Sequence, residues 1–385
     1  MLRLLLGIVL AGASAISQAQ WKPNKPITVI VPWAAGGSTD QVTRIAAGEL
    51  EKALGQKVVV VNQPGASGSI GTKNALEAAK DGYTWTSGAA QDLGSYRVLG
   101  MLETGLADWY LFLSVANVPV VGVNAAAPYQ TIQQLLDDMK AKPGQISVAT
   151  AGQLSGGHNA MEAISRATGV KYRHVTYDGG APAVVATVGG ETQVTTQLAV
   201  EQADMIRAKR LRPLATVSDK AVEIDGFGRI EPITRVIPSF RAATNYFGIF
   251  IPKGVPAEVV ATLDKVWREQ IATSEALKKY ANARGAFFGP LAGDPAQKAA
   301  FPAVQANSWL MFESGKAKVS PDTVGIPKPK PEILYMNPFV LIVMLLSGPG
   351  PALTIYEFTS LQKCQNAATQ IMVNLKNAKV ACVPK

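Results

Sequence analysis

The chain has 385 residues, of which 48% are hydrophobic, 17% charged and 7% aromatic, enough apolar material for a sizeable core and too much for a disordered polymer. Two cysteines and two histidines exclude a disulfide-rich scaffold, thiolate zinc sites and most imidazole-based metal centres. The net charge of +9 favours anionic partners such as carboxylates. The basic residues are scattered, however, with Lys209-Arg-Leu-Arg212 the densest run, so no nucleic-acid partner is expected.

Met1-Leu-Arg3 is a short basic start, followed by an apolar stretch from Leu4 to Ala11 and by small residues ending in Ser17-Gln-Ala19. This pattern predicts a signal peptide over residues 1–19, cleaved near Ala19, and an exported, periplasmic protein. No cysteine follows the apolar stretch, so a lipoprotein anchor is not expected.

From Gln20 onward, short apolar runs alternate with segments of helical periodicity. Ile27-Thr-Val-Ile-Val-Pro32 reads as a buried strand, and the spacing of Val42, Ile45, Ala46, Leu50, Ala53 and Leu54 as the helix after it. Further strands are predicted at 58–61, 118–123, 146–150, 172–176, 193–197, 214–217 and 246–251. Helices are predicted at 73–80, 131–141, 158–168, 182–188, 200–209, 256–272 and 275–284. Such alternation implies an α/β protein built on parallel sheets with helices on both faces. A Pro/Lys linker near Ile326–Pro331 then leads to an atypical tail. Its apolar run Phe339–Leu346 is too short to cross a bilayer and resembles a signal-like or membrane-surface segment, or an appended one.

Three strand-to-helix junctions are glycine-rich. The first is Trp33-Ala-Ala-Gly36-Gly37-Ser38-Thr39-Asp40-Gln41, where Ser38 and Gln41 have capping-box spacing and place the helix start at Thr39. Gly36 and Gly37 leave the helix N-terminus open to an anion. The second is Ala151-Gly152-Gln-Leu-Ser155-Gly-Gly-His158, and the third Tyr177-Asp178-Gly179-Gly180-Ala-Pro182. Without a Walker lysine, these junctions suit carboxylates held by backbone amides. The segment Pro64–Gly71 has GxxGxxG spacing rather than a dinucleotide fingerprint and reads as a packed loop. No nucleophile elbow is present, and no catalytic residue, cofactor or metal is expected.

Taken in order, these blocks resemble the Bug-type periplasmic solute receptors of tripartite tricarboxylate transporters. The matching segments include Lys25-Pro-Ile27, Pro32-Trp33, Gly36–Asp40, Leu54–Ala66, Asp81-Gly-Tyr-Thr84, Val175–Ala183, Gly189-Gly-Glu191 and Ile251–Pro256. The resemblance runs from about Trp21 to about Ile326. It implies a two-lobed, type II-like periplasmic-binding-protein architecture that closes over a small organic carboxylate in an interlobe cleft. Lobe one would be 20–122 with a return segment 244–328, lobe two 123–243, and 329–385 the linker and tail.

By the same resemblance, the ligand-binding residues would be Trp33, Ala34, Gly36, Gly37, Ser38, Thr39, Ala151, Gly152, Ser155, His158, Tyr177, Gly179 and Gly180. The partners implied are the ligand and the transporter's membrane subunits, with the receptor itself a monomer. Asp178 stands where many relatives carry Lys, and is expected to cap the helix entered through Pro182 rather than face the ligand. A sensor feeding a two-component system is the alternative use of the same cleft, and an exported α/β enzyme the third class.

Overall fold

The computed structural model describes residues 21–329, together with the backbone of three further strands within 339–384. The expected signal peptide lies outside the described residues.

The chain opens with β1 (Ile27–Val31), α1 (Ser38–Leu54), β2 (Val58–Asn62), α2 (Ser69–Glu77), β3 (Thr84–Ala89), α3 (Ala90–Leu99) and β4 (Trp109–Asn117). It continues through β5 (Val120–Asn124), α4 (Ile132–Ala141), β6 (Ser147–Thr150), α5 (Gly156–Thr168), β7 (Arg173–Thr176), α6 (Gly180–Gly189), β8 (Val194–Thr195), α7 (Ala199–Arg207), β9 (Leu211–Thr216), β10 (Val222–Ile224) and β11 (Gly228–Ile230). It then returns through β12 (Asn245–Pro252), α8 (Ala257–Glu269), α9 (Glu275–Arg284), β13 (Ala286–Ala292) and α10 (Gly293–Glu313).

Two sheets result. One is six-stranded, ordered β13-β4-β12-β3-β1-β2, and the other five-stranded, ordered β7-β6-β8-β5-β9. The chain therefore leaves the first sheet after Asn117, enters the second at Val120 and comes back at Asn245. Neither sheet is purely parallel, contrary to the expectation from alternation. β12 runs antiparallel to both β3 and β4, and β5 antiparallel to both β8 and β9. The reason in the first sheet is connectivity: β12 returns from the second sheet and inserts between the parallel pair β3 and β4, rather than following either through a crossover helix.

Each sheet has its own core. In the first, Ile27, Val29, Trp85, Phe112 and Ile249 pack with Val42 and Leu50 of α1 and with Leu263 and Trp267 of α8. In the second, Val121, Val123, Val148 and Val194 pack with Leu135, Met139, Met161 and Ile164. The elements missing from the sequence reading are β3, α3, β4, β10, β11, β13 and α10. Thr84–Ala89 and Ala90–Leu99 carry no clean apolar period because nearly every residue of both is buried.

In the tail, the apolar run is a strand, β14 (Phe339–Leu345), paired antiparallel with β15 (Ala352–Phe358) and β16 (Ala378–Pro384). This differs from the signal-like reading, since a central strand can be as continuously apolar as a targeting segment. The three strands pair with one another and join neither of the larger sheets. A chain ending at Lys330 is therefore expected to keep the melting temperature of the longer one to within about 3 °C, the shift that ~1 kcal/mol produces in a domain of roughly 200 residues. A larger drop in differential scanning calorimetry would make the tail part of the main core.

Candidate functional site

The carboxyl ends of β1, β6 and β7 bring the three glycine-rich junctions face to face. The contact between them is backbone to backbone: the N–H of Ala34 donates to the carbonyl of Asp178 at 3.0 Å. A Cβ on Gly179 would lie 3.0 Å from Ala34 Cβ, so this approach requires glycine. Beside it, Gln153 N–H donates to Ser67 Oγ at 3.2 Å. The cleft between the two sheets is closed in this structure.

At its centre lies a carboxylate that the sequence reading did not include. Glu201, on α7, is half-buried and accepts the Ser38 N–H of α1 at 2.9 Å and the Leu198 N–H of its own helix start at 3.2 Å. The Gln197 side chain donates to its second oxygen at 2.9 Å and accepts from Ala151 N–H at 2.8 Å. Gly180 makes room for this group, because a Cβ there would stand 2.1 Å from the carboxylate. Burial pushes the Glu201 pKa up, while the Ser38 and Leu198 N–H bonds oppose that rise. An internal carboxylate thus occupies the start of α1, where the sequence reading expected a ligand's carboxylate.

This explains two corrections. The N-cap of α1 is Gly37 and its first residue Ser38, one earlier than the capping-box spacing implied, because Glu201 takes the N–H that a capping side chain would satisfy. Asp40 secures the loop instead, accepting from Gly36 N–H at 2.9 Å and from Asn62 at 3.0 Å while paired with Arg44. Burial disfavours its charge, but these bonds outweigh burial and hold its pKa below the usual carboxylate range. Asp178 caps nothing either: the N-cap of α6 is Gly179, without a side-chain bond.

The expected ligand residues divide between two recesses. Trp33, Gly37, Ser38, Thr39, Ser155 and Gly180 line a small cavity of about 30 Å³, together with Asp92, Gln197 and Glu201. Ala151, Gly152 and Tyr177 line a larger recess of about 650 Å³, with Ser67, Gln153, Thr176 and Asp178. Ala34 and Gly179 form the bridge between the lobes. Gly36 sits 4.0 Å from Ala181, measured from an added Cβ. Ser155 Oγ is occupied as the N-cap of α5, accepting His158 N–H.

His158 is not a cleft residue. It is 1% exposed, its Nδ1 meets the carbonyl of Gln153, and its ring stacks on His174 at 4.2 Å inside the second lobe. Burial lowers both imidazole pKa values, that of His174 to about 3, so neither ring carries the charge an anion would need.

Among the described residues lining these two recesses there is no Lys or Arg. Three acids are present instead: Asp92, Asp178 and Glu201. Asp92 is 6% exposed, its Oδ1 has no hydrogen-bond partner among the described residues, and burial raises its pKa from 3.8 to about 8. Its signal in the sequence was an acid at the start of a wholly buried helix.

A raised pKa means that the folded state holds a proton the unfolded state has released. The stability contribution of Asp92 is therefore greatest below its ordinary 3.8 and is lost as pH rises toward about 8. Asp92→Asn is expected to raise the melting temperature at pH 8 and to flatten its decline between pH 4 and 8. An unchanged melting profile would show that the carboxyl ionises freely.

Comparisons with known proteins agree with this fold. The model of the tripartite tricarboxylate transporter family receptor matches residues 42–315. The protein BugT of Bordetella pertussis is 31% identical over 307 residues, 78% of this chain and 92% of that one. A protein encoded in the tcbD-tcbE intergenic region of a Pseudomonas species is 32% identical over 288 residues, 72% of this chain and 84% of that one. Among solved structures, the periplasmic binding protein BugD superposes with a TM-score of 0.70 at 25% identity, covering 77% of this chain and 99% of that one. An R. palustris protein with adipate shares the fold, with a TM-score of 0.69 at 23% identity over 76% of this chain and 98% of that one. The chain belongs to the receptor family of the tripartite tricarboxylate transporters, and is a two-lobed solute-binding protein rather than an enzyme.

Proposed function

We propose that this receptor captures one small organic carboxylate in the cleft between its lobes and delivers it to the membrane subunits of a tripartite tricarboxylate-type transporter. The observation that carries the reading is the nest around Glu201, where Ser38 N–H, Leu198 N–H and the Gln197 amide converge on a carboxylate. Charge-assisted bonds of this kind are about twice as strong as neutral ones, and the helix dipole adds about 0.3–2 kcal/mol. The adipate bound by one structural neighbour and the malate bound by another support the same ligand class.

In this reading residues 20–122 and 244–328 form one lobe and 123–243 the other. The first junction, Trp33–Thr39, supplies the amides of one lobe, and Ala151–Ser155 with Tyr177–Gly180 those of the other. Glu201 is an internal stand-in for the ligand's carboxylate: it holds the empty lobes together and gives way when a ligand brings its own. Lobe closure then follows from the ligand's better contacts in the closed state. The acids around the nest favour ligands of low negative charge. The receptor works as a monomer in the periplasm, with residues 1–19 as its export signal, consistent with the absence, among the described residues, of any helix long and apolar enough to cross a membrane.

A thermal-shift screen over organic acids is expected to find a stabilising ligand, which at 100 times its dissociation constant adds ~2.7 kcal/mol. With that ligand, Glu201→Ala should tighten binding by about tenfold, because ~1.4 kcal/mol of internal competition is removed. Weaker binding in this variant would instead place Glu201 in direct contact with the ligand.

Gly37→Val offers a second check. A Cβ at Gly37 meets only ordinary contacts, 3.4 Å from Ala34 O and 3.5 Å from Glu201, so the fold should persist while the branched methyls fill the nest. Calorimetry that showed unchanged affinity would remove the first junction from the site.

A further inference from the structure

The second junction of the cleft is backed by a cluster of charged and polar side chains that line neither recess. His158, Glu162 and Arg166 are spaced four residues apart on α5, so they form one stripe along the helix. That stripe meets the end of α10 and the segment after it. Lys316 reaches Glu162, and Arg166 reaches Glu313, so two ion pairs of opposite polarity cross the same seam. Glu313 is also paired with Lys328, at 2.6 Å.

The two sides of the seam belong to different cores. Met161 and Ile164 of α5 pack in the core of the second sheet, whereas Ala296, Ala300 and Val304 of α10 pack with Leu111 and Leu113 of β4. The segment after α10 is tied to the same side as α10, since Val319 N–H donates to the Val98 carbonyl of α3 at 3.1 Å. Lys316 therefore extends from the first lobe to the second.

Glu162 is the buried member of its pair: its side chain is 6% exposed, that of Lys316 39%. The Glu162 oxygen that takes Lys316 also accepts the Tyr172 hydroxyl and lies 3.7 Å from His158 Nε2. His158 carries its proton on Nδ1, because the Gln153 carbonyl it meets there can only accept. Its unprotonated Nε2 is thus set beside a carboxylate, an arrangement that the Lys316 charge makes tolerable. His174 stacks on the His158 ring at 4.2 Å, and its own Nε2 lies 2.5 Å from Thr150 Oγ1. Gln153 is at the middle of the second junction, and Thr150 immediately precedes it.

We propose that Lys316 is a positioning residue: closing the lobes brings it onto Glu162, and through the two imidazoles this fixes the second junction, Ala151–Ser155, in its ligand-binding shape. The proposal rests on the reading of that junction as a ligand contact, although Lys316 itself lines neither recess. With the lobes apart, Glu162 loses its cation, the His158 ring faces an unneutralised carboxylate, and the junction loosens. Lobe closure and the shape of the ligand contact are thereby linked through residues outside the Glu201 nest.

The test needs no ligand, so its failure is distinct from failure of the carboxylate reading. The chain has two histidines, both in this cluster, so the imidazole nitrogen resonances of the full chain report on it directly. Burial lowers both imidazole pKa values, the Lys316 charge lowers them further, and Glu162 opposes this. Lys316→Met should therefore move both titrations upward. It should also speed amide exchange across Ala151–Ser155 by about tenfold, a local opening, while exchange in β4 and β12 stays as in the unaltered chain. Lys316→Arg, which keeps the charge, should restore both readouts. Glu162→Gln should speed the same exchange, and gives a second reading if the methionine variant misfolds. Arg166→Met breaks only the neighbouring pair and should leave the junction's exchange unchanged. Unmoved titrations, unaltered exchange across Ala151–Ser155, or no rescue by Lys316→Arg would overturn the proposal. So would an equal effect of Arg166→Met, which would make the whole seam responsible, or faster exchange throughout β4 and β12, which would make the role of Lys316 structural only.

Discussion

The closed arrangement of the two lobes depends on the Glu201 carboxylate at the first turn of α1. A helix N-terminus leaves backbone N–H groups without partners, and a buried one must find an acceptor. Here the acceptor comes from the other lobe, 163 residues along the chain. The same carboxylate also caps its own helix through Leu198, so one side chain fixes two helix starts on opposite sides of the cleft. Its burial raises its pKa, and the geometry around it, including the missing side chain at Gly180, is arranged to tolerate that cost.

This arrangement ties recognition to stability. Amides that can bind a carboxylate without any cationic side chain are generic, so selectivity has to come from what else surrounds them. Here the surroundings are acidic and apolar, with Asp92 kept protonated by burial near neutral pH and Trp33 packed against Val31 and Ala151. A site with this lining discriminates by desolvation: each additional ligand charge must be buried beside groups that do not neutralise it.

Much of this was legible in the sequence, and the exceptions have physical causes. The three glycine-rich junctions could be read because they combine a strand, a turn and a helix start within a few residues, and the structure brings them together. Glu201 and Gln197 could not be read, because nothing local distinguishes a glutamate in the first turn of α7 from an ordinary capping residue. His158 misled because a histidine beside glycines at a helix start suggests an anion donor, whereas its ring serves the interior of the second lobe. Strand β3 and helix α3 escaped notice because burial on all sides erases the periodicity that reveals half-exposed elements.

The strand order of the first sheet also sets a schedule for folding. β12 lies between β3 and β4, yet it is made more than a hundred residues after β4, once the whole second sheet has been synthesised. Until Asn245–Pro252 emerges from the ribosome, β3 and β4 have no common neighbour and the first sheet has a gap at its middle. Pairings of such long sequence separation form slowly. A centre completed this late leaves the first sheet open until every strand of the second has been made.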